Sequence, residues 1–315
     1  MTNILVIKLG ALGDFIQALG PMQAIRRHHP QAHITLLTTK PFVEFATRSN
    51  LFDAVWVDKR PRWGDLPGWY RLRKKLIGGN FTRVYDLQNN DRTELYLRLF
   101  PKRATPEWVG AARGASHRNV SPERTAGDAF AGHVQTLGLA GIKNVTLDDL
   151  SWIDGDVSRF ALPDPFIILV PGSAPKRVEK RWPASHYGAL AQGLVARGLH
   201  TVIVGSESER DVAQAIQQQC PTALNLTGKT DLYDIALLAR YAAASVGNDT
   251  GPMHLIAASG CPTLVLFSRH SNPLRHAPRG ARMKFLQADD LVDLPPETVM
   301  KDLLENAGDL RTSGA

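Results

Sequence analysis

Apolar residues fall along this chain in two alternating rhythms. Short runs rich in β-branched side chains are separated by longer stretches in which apolar positions recur at helical spacing. The runs at 4–7, 34–37, 54–57 and 84–87 read as strands in the first half, and those at 166–170, 201–204, 223–226, 245–247 and 263–267 in the second. Strands that are apolar throughout are buried on both faces, and their alternation with helices predicts parallel sheets covered on either side. The strand series restarts at Phe166, after a turn-rich stretch from Asp154-Gly155-Asp156 to Pro163-Asp164-Pro165. The fold class expected is therefore α/β, with two Rossmann-like, doubly wound domains facing a central cleft, at 1–155 and 156–295. A last helical stretch within 296–315 is expected to pack back across the hinge. Folds of this kind bind ligands beyond the C-terminal ends of their strands, so the chemistry should concentrate there.

Composition agrees with this picture and narrows it. A chain of 315 residues exceeds the size at which one core stops growing. Cys220 and Cys261 are its two cysteines, too few for a disulfide framework, and they lack metal-ligand spacing. The apolar run at 4–7 is too short for a signal-peptide core, and no run approaches a membrane span. A cytoplasmic protein is expected, soluble or peripheral at the inner-membrane face. A net charge of +7 points to an anionic partner without naming it.

Three strand ends carry candidate chemistry. The first strand runs into Lys8-Leu9-Gly10-Ala11-Leu12-Gly13-Asp14, with Pro21 expected to start a second helical segment. Gly10 and Gly13 let backbone approach a ligand, but the spacing is not that of the dinucleotide fingerprint. Asp14 reads either as an N-cap or as a general base facing the cleft. In the second half, Ser173 to Trp182 places Lys176, Arg177, Lys180 and Arg181 beside a serine hydroxyl. Such a loop is either solvated or able to grip a diphosphate through charge-assisted hydrogen bonds. The third stretch is Val246 to His254. Pro252 is expected at the first helical position, and a helix opening with Thr250-Gly251-Pro252 presents backbone N–H groups to an anion. Asp249, Thr250 and His254 would surround that anion.

Other polar features are weaker. Glu207, after the strand at 201–204, could accept from sugar hydroxyls or simply favour a helix start. Asp154-Gly155-Asp156 reads as a turn, and no metal site is expected. From Lys59 to Lys75, seven cations (Arg60, Arg62, Arg71, Arg73 and Lys74 among them) face Asp65 alone, with Trp63, Trp69 and Tyr70 interleaved. This suits an anionic membrane surface or a phosphorylated acceptor, unless it is only a solvated face. No recognisable nucleic-acid module accompanies it, so no nucleic-acid partner is expected.

Together, Gly10–Asp14, Lys180-Arg181-Trp182-Pro183 and Asp249-Thr250-Gly251-Pro252-Met253-His254 resemble the heptosyltransferase family, lipopolysaccharide-core glycosyltransferases of family 9 with GT-B architecture. The resemblance implies an acceptor-binding first domain and a donor-binding second domain. It also implies an inverting, metal-independent sugar transfer without a cofactor, typically of heptose from ADP-heptose onto an anionic glycolipid core. On that resemblance Asp14 is the general base and Lys180 stabilises the leaving diphosphate. Ser173, Glu207, Asp249, Thr250, Gly251 and His254 contact the donor. A GT-B-like nucleotide-sugar epimerase and a non-catalytic binder of nucleotide or anionic glycan are the alternatives.

Overall fold

A computed structural model describes residues 2–174 and 177–308; Pro175 and Lys176 of the basic loop and 309–315 of the C-terminal segment lie outside the described residues. The chain forms two compact units, Met1–Asp148 and Asp149–Ala315. Residues 149–155, assigned to the first domain on sequence, are held in the second unit. There Arg240 donates to the carbonyls of Ile153 at 2.7 Å and Leu150 at 2.5 Å.

The first unit contains β1 (Asn3–Ile7), β2 (His33–Thr38), β3 (Ala54–Val57), β4 (Arg83–Asp86), β5 (Glu107–Gly110) and β6 (His117–Arg118), all parallel, in the order β3-β2-β1-β4-β5-β6. The second contains β7 (Phe166–Val170), β8 (His200–Ile203), β9 (Leu224–Asn225), β10 (Ala244–Asn248), β11 (Thr263–Ser268) and β12 (Met283–Ala288), again all parallel, in the order β12-β11-β10-β7-β8-β9. Numbered within each unit, both sheets have the doubly wound order 3-2-1-4-5-6. The chain reverses its winding between β1 and β4 in one unit and between β7 and β10 in the other. Ligands bind in doubly wound folds at that reversal.

The central strands are buried as their composition requires: Ile4 to Ile7 and Ile167 to Leu169 have no exposed surface. The helix after β1, Leu12–His28, is continuous through Pro21, where a break was expected. Proline inside a helix costs about 3 kcal/mol, whereas each large apolar side chain buried returns about 1.5–3 kcal/mol. Phe15, Ile16, Leu19, Met22 and Ile25 are all buried on this helix, so packing outweighs the break. Gly20 lets the returning chain lie against it, since a Cβ there would stand 1.9 Å from the Thr146 carbonyl oxygen.

Leu66–Gly78, the helix of the basic segment, begins at Asp65, whose side chain accepts the Gly68 N–H at 2.8 Å. It buries only Leu72 and Leu76. The last helix, Pro296–Ala307, sends Val299, Leu303 and Ala307 into the core of its own unit, together with Trp182, Leu190 and Leu264. Its apolar stripe, read on sequence as packing across the hinge, is used there.

Candidate functional site

At the reversal of the first unit, the turn after β1 is pinned from several sides. Leu9 receives the Thr39 hydroxyl on its carbonyl at 3.0 Å and donates its N–H to Gln88 at 2.8 Å. Gly10 has φ +122, a conformation L side chains rarely adopt, and a Cβ there would meet the Phe42 ring at 3.0 Å. Phe42 in turn stacks on Phe15 at 4.7 Å. Asp14 therefore projects from an anchored helix start. It is not the N-cap, which is Ala11. Asp14 is the third helical residue, and its carboxylate reaches back to the Ala11 N–H at 3.3 Å. Gly13 is buried beside it.

Three buried polar residues that sequence reasoning passed over surround this turn. Lys8, 3% exposed, donates to the Leu87 carbonyl at 3.0 Å. Burial lowers its pKa against the opposing pull of the Asp14 and Asp86 charges. Asp86 accepts the N–H groups of Gln88 and Asn89 at 3.0 and 2.9 Å, yet burial raises its pKa. His133 is held neutral by burial first and then by the charges of Lys8 and Arg124.

In the second unit, the ends of β7 and β10 are tied together by Asn248. Its side-chain amide donates to the Pro171 carbonyl at 2.7 Å and the Gly172 carbonyl at 3.3 Å. Its carbonyl accepts the Trp182 N–H at 2.9 Å and the Tyr187 hydroxyl at 3.2 Å. Trp182 is fully buried, with its indole N–H on the Leu294 carbonyl at 2.9 Å, so the basic loop enters its helix from a fixed point.

That anchoring places Lys180 on Asp249, with Nζ 2.6 Å from Oδ2 and both side chains mostly buried. Ser271, just past β11, donates its hydroxyl to the same oxygen at 2.5 Å. Thr250 caps the helix Gly251–Ala258 without a side-chain cap bond, and Pro252 is its second residue rather than its first. Pro252 has no N–H and Met253 returns its own to the Thr250 carbonyl at 3.1 Å. The anion site expected at this helix start thus has the Gly251 N–H as its helix donor. His254 is buried one turn in. The Ser173 hydroxyl donates to the Arg177 carbonyl and accepts from Arg181, each at 2.9 Å.

Glu207 stands apart from this group. It is exposed and ion-paired with Arg210. Glu209, which sequence reasoning did not single out, lies closer to the strand ends: its Oε1 is 1.5 Å from where a Cβ on Gly172 would be, and its Oε2 accepts the Ser206 N–H at 2.6 Å. Asn248 and Ser271 were legible only as strand-end polar residues, the positions where doubly wound folds keep their ligand contacts.

On the basic segment, Arg60, Arg62, Arg71, Arg73 and Lys74 are exposed. Leu66 and Tyr70, four residues apart on this helix, are 74% and 65% exposed, and Trp63 in the turn before it is 75% exposed. Lys75 is drawn over the Trp56 ring at 4.7 Å. With Lys59, Arg71 and Asp58 it lines a cavity of about 170 Å³. Among the described residues, no cluster of three or more His, Cys, Asp or Glu side chains is arranged to hold a metal ion, and no helix is long and apolar enough to cross a membrane.

Two doubly wound units of this kind have the GT-B fold class, and the sequence family makes the chain a glycosyltransferase. More particularly, the chain belongs to glycosyltransferase family 9 (heptosyltransferase), whose sequence model matches residues 69–305. It is 31% identical to lipopolysaccharide heptosyltransferase 2 of Escherichia coli, over 96% of this chain and 97% of that protein. It is 25% identical to the lipopolysaccharide core heptosyltransferase OpsX of Haemophilus influenzae, over 98% and 89%. Among solved structures, a glycosyl transferase family 9 protein from Veillonella parvula superposes with a TM-score of 0.80 at 22% identity, covering 95% of each chain. Escherichia coli heptosyltransferase WaaC with ADP-2-deoxy-2-fluoro heptose gives 0.72 at 19%, covering 96% and 98%.

Proposed function

We propose that this glycosyltransferase moves a heptosyl group from ADP-heptose onto the anionic core of a lipopolysaccharide, by a single displacement that inverts the anomeric carbon. The observation that carries this reading is the Lys180–Asp249 pair beside the start of the Gly251–Ala258 helix. The relatives' names supply the sugar and the acceptor class.

In the reaction, the acceptor oxygen attacks the anomeric carbon and the bond from that carbon to the diphosphate oxygen breaks. The acceptor proton passes to Asp14, and ADP departs carrying the electron pair. Charge growing on the diphosphate is met by the Lys180 ammonium and the Gly251 N–H, held in place before the reaction begins. This supply of positive charge needs no metal ion. Asp249, released from Lys180, accepts from sugar hydroxyls, with Thr250 and His254 beside it. Ser173 orders the loop that contacts the phosphates, and Glu207 or its neighbour Glu209 receives the ribose. The first unit takes the acceptor and the second the donor. The exposed face bearing Trp63, Leu66 and Tyr70, with Arg73 and Lys74, rests on the glycolipid-bearing membrane surface.

The test is transfer of heptose from ADP-heptose to a heptose-deficient lipopolysaccharide, with Asp14→Asn in parallel. General-base loss should lower kcat by roughly 10²–10⁴-fold while donor KM holds. A wild-type rate in Asp14→Asn would remove the base, and isomerisation of ADP-heptose without acceptor would mark an epimerase instead.

A further inference from the structure

Two donors meet on one oxygen of Asp249. Lys180 Nζ lies 2.6 Å from Oδ2 and the Ser271 hydroxyl 2.5 Å from the same atom, while Oδ1 accepts nothing among the described residues. Hydrogen bonds to an ionised acceptor are short and roughly twice as strong as neutral ones, so both contacts fix the carboxylate. The transfer chemistry gives the lysine a task and the serine none.

The two donors are attached differently. Lys180 ends the turn Val178–Lys180 and reaches Asp249 on a flexible four-carbon stem. Ser271 is 5% exposed, and its short side chain follows a backbone whose N–H is on the Ser268 carbonyl at 3.1 Å. On one side of it the His270 carbonyl accepts from Arg177 at 3.1 Å, and on the other the Asn272 side chain accepts the Leu274 N–H at 3.0 Å. Asp249 is tied to the same connection, with its N–H on the Leu266 carbonyl of β11 at 3.2 Å. The hydroxyl is thus a fixed donor and the ammonium a movable one.

When the donor diphosphate draws the ammonium away, Ser271 is the donor that stays on Oδ2. We infer that Ser271 is a positioning residue for the transfer: it keeps the Asp249 carboxylate turned so that Oδ1 meets the hydroxyls of the incoming sugar while Lys180 changes partner. This rests on the reading of Lys180 as the diphosphate's cation. Ser271 acts through Asp249 and transfers no proton.

Ser271→Ala in the full-length protein tests it, with ADP-heptose and heptose-deficient lipopolysaccharide as substrates and ADP as a competitor without the sugar. For ADP-heptose, kcat/KM should fall roughly 10- to 100-fold, the range for losing a hydrogen bond to a charged group. The inhibition constant of ADP should stay within about threefold of wild type, because water takes the sugar's place there and hydrates Asp249. Ser271→Cys keeps the size of the side chain but offers only a weak S–H donor, so it should lose nearly as much as Ser271→Ala. It also serves in its place if Ser271→Ala does not fold. Equal losses for ADP and ADP-heptose would reduce Ser271 to a packing role and overturn the inference, as would wild-type transfer in either variant. A Lys180→Met protein that binds ADP as tightly as wild type would instead remove the diphosphate reading, and this inference with it.

Discussion

Asn248 uses each end of its amide twice, and its four partners flank the connections that bring Lys180 to Asp249. Its replacement by alanine leaves buried donors and acceptors unpaired, each at about 1–3 kcal/mol. The Tyr187 hydroxyl keeps the Val170 carbonyl, so three groups lose a partner, and Asn248→Ala should lose about 3 kcal/mol of stability or more, read as a lower urea midpoint at unchanged slope. Sequence patterns made Lys180 and Asp249 legible as separate candidates, because each stands near a strand end among residues of matching chemistry. That Lys180 and Ser271 meet on one Asp249 oxygen was not legible. The three lie on three different connections, and only the register of β7, β10 and β11 brings those together. Glu207 drew notice through its place after the strand, yet its side chain turns outward to Arg210 while Glu209 turns inward. Two carboxylates two residues apart cannot be told apart by pattern alone.

At the scale of elements, the continuous apolar strands were readable because burial on both faces leaves no alternation to confuse. The strands that went unread are those with another kind of burial. β12 lies at the edge of its sheet with Lys284 and Phe285 exposed, so its residues form no apolar run. β5 and β6 are four and two residues long, and β5 closes on a glycine. The helix through Pro21 was misread for the opposite reason: a strong local signal yielded to packing that local sequence does not display. Gly20 marks how close that packing is. Gly20→Ala would force the helix from the Thr146 carbonyl and should cost about 1–3 kcal/mol, measurable as a fall in the melting temperature.

For the molecule as a whole, two histidines set an acid boundary on the first unit. His29 stands 2.7 Å from the Tyr85 hydroxyl, and burial, with His28 and Arg83 adding to it, lowers its pKa to about 4. His133 is lowered further in the same direction. Both therefore bind protons more readily unfolded than folded. The stability they contribute is present above the unfolded histidine value of about 6.5 and is lost as pH falls from there through their folded values. Asp86, raised by burial, works in the opposite sense, so the contrast to measure is His29→Gln against wild type. The variant should show a shallower loss of melting temperature between about pH 6.5 and 4.5.

The exposed aromatic and basic face should act on the same scale. Co-sedimentation with vesicles rich in anionic phospholipid should exceed that with zwitterionic vesicles. It should weaken in Arg73→Ser/Lys74→Ser by about 1 kcal/mol per lysine or arginine removed. Equal sedimentation with both vesicle types would detach this face from membranes.

The pairing of Lys180 with Asp249 also bears on how the proposed donor site discriminates among anions. On the proposed role of Lys180 toward the donor diphosphate, its pairing with Asp249 means that small anions in the surroundings meet a neutralised lysine. Donor binding then amounts to ion exchange within the protein, with few counterions released to solvent. Donor affinity should accordingly vary little with ionic strength, while engagement of the basic outer face falls steeply. Salt could thereby separate the two halves of the reaction without any mutation.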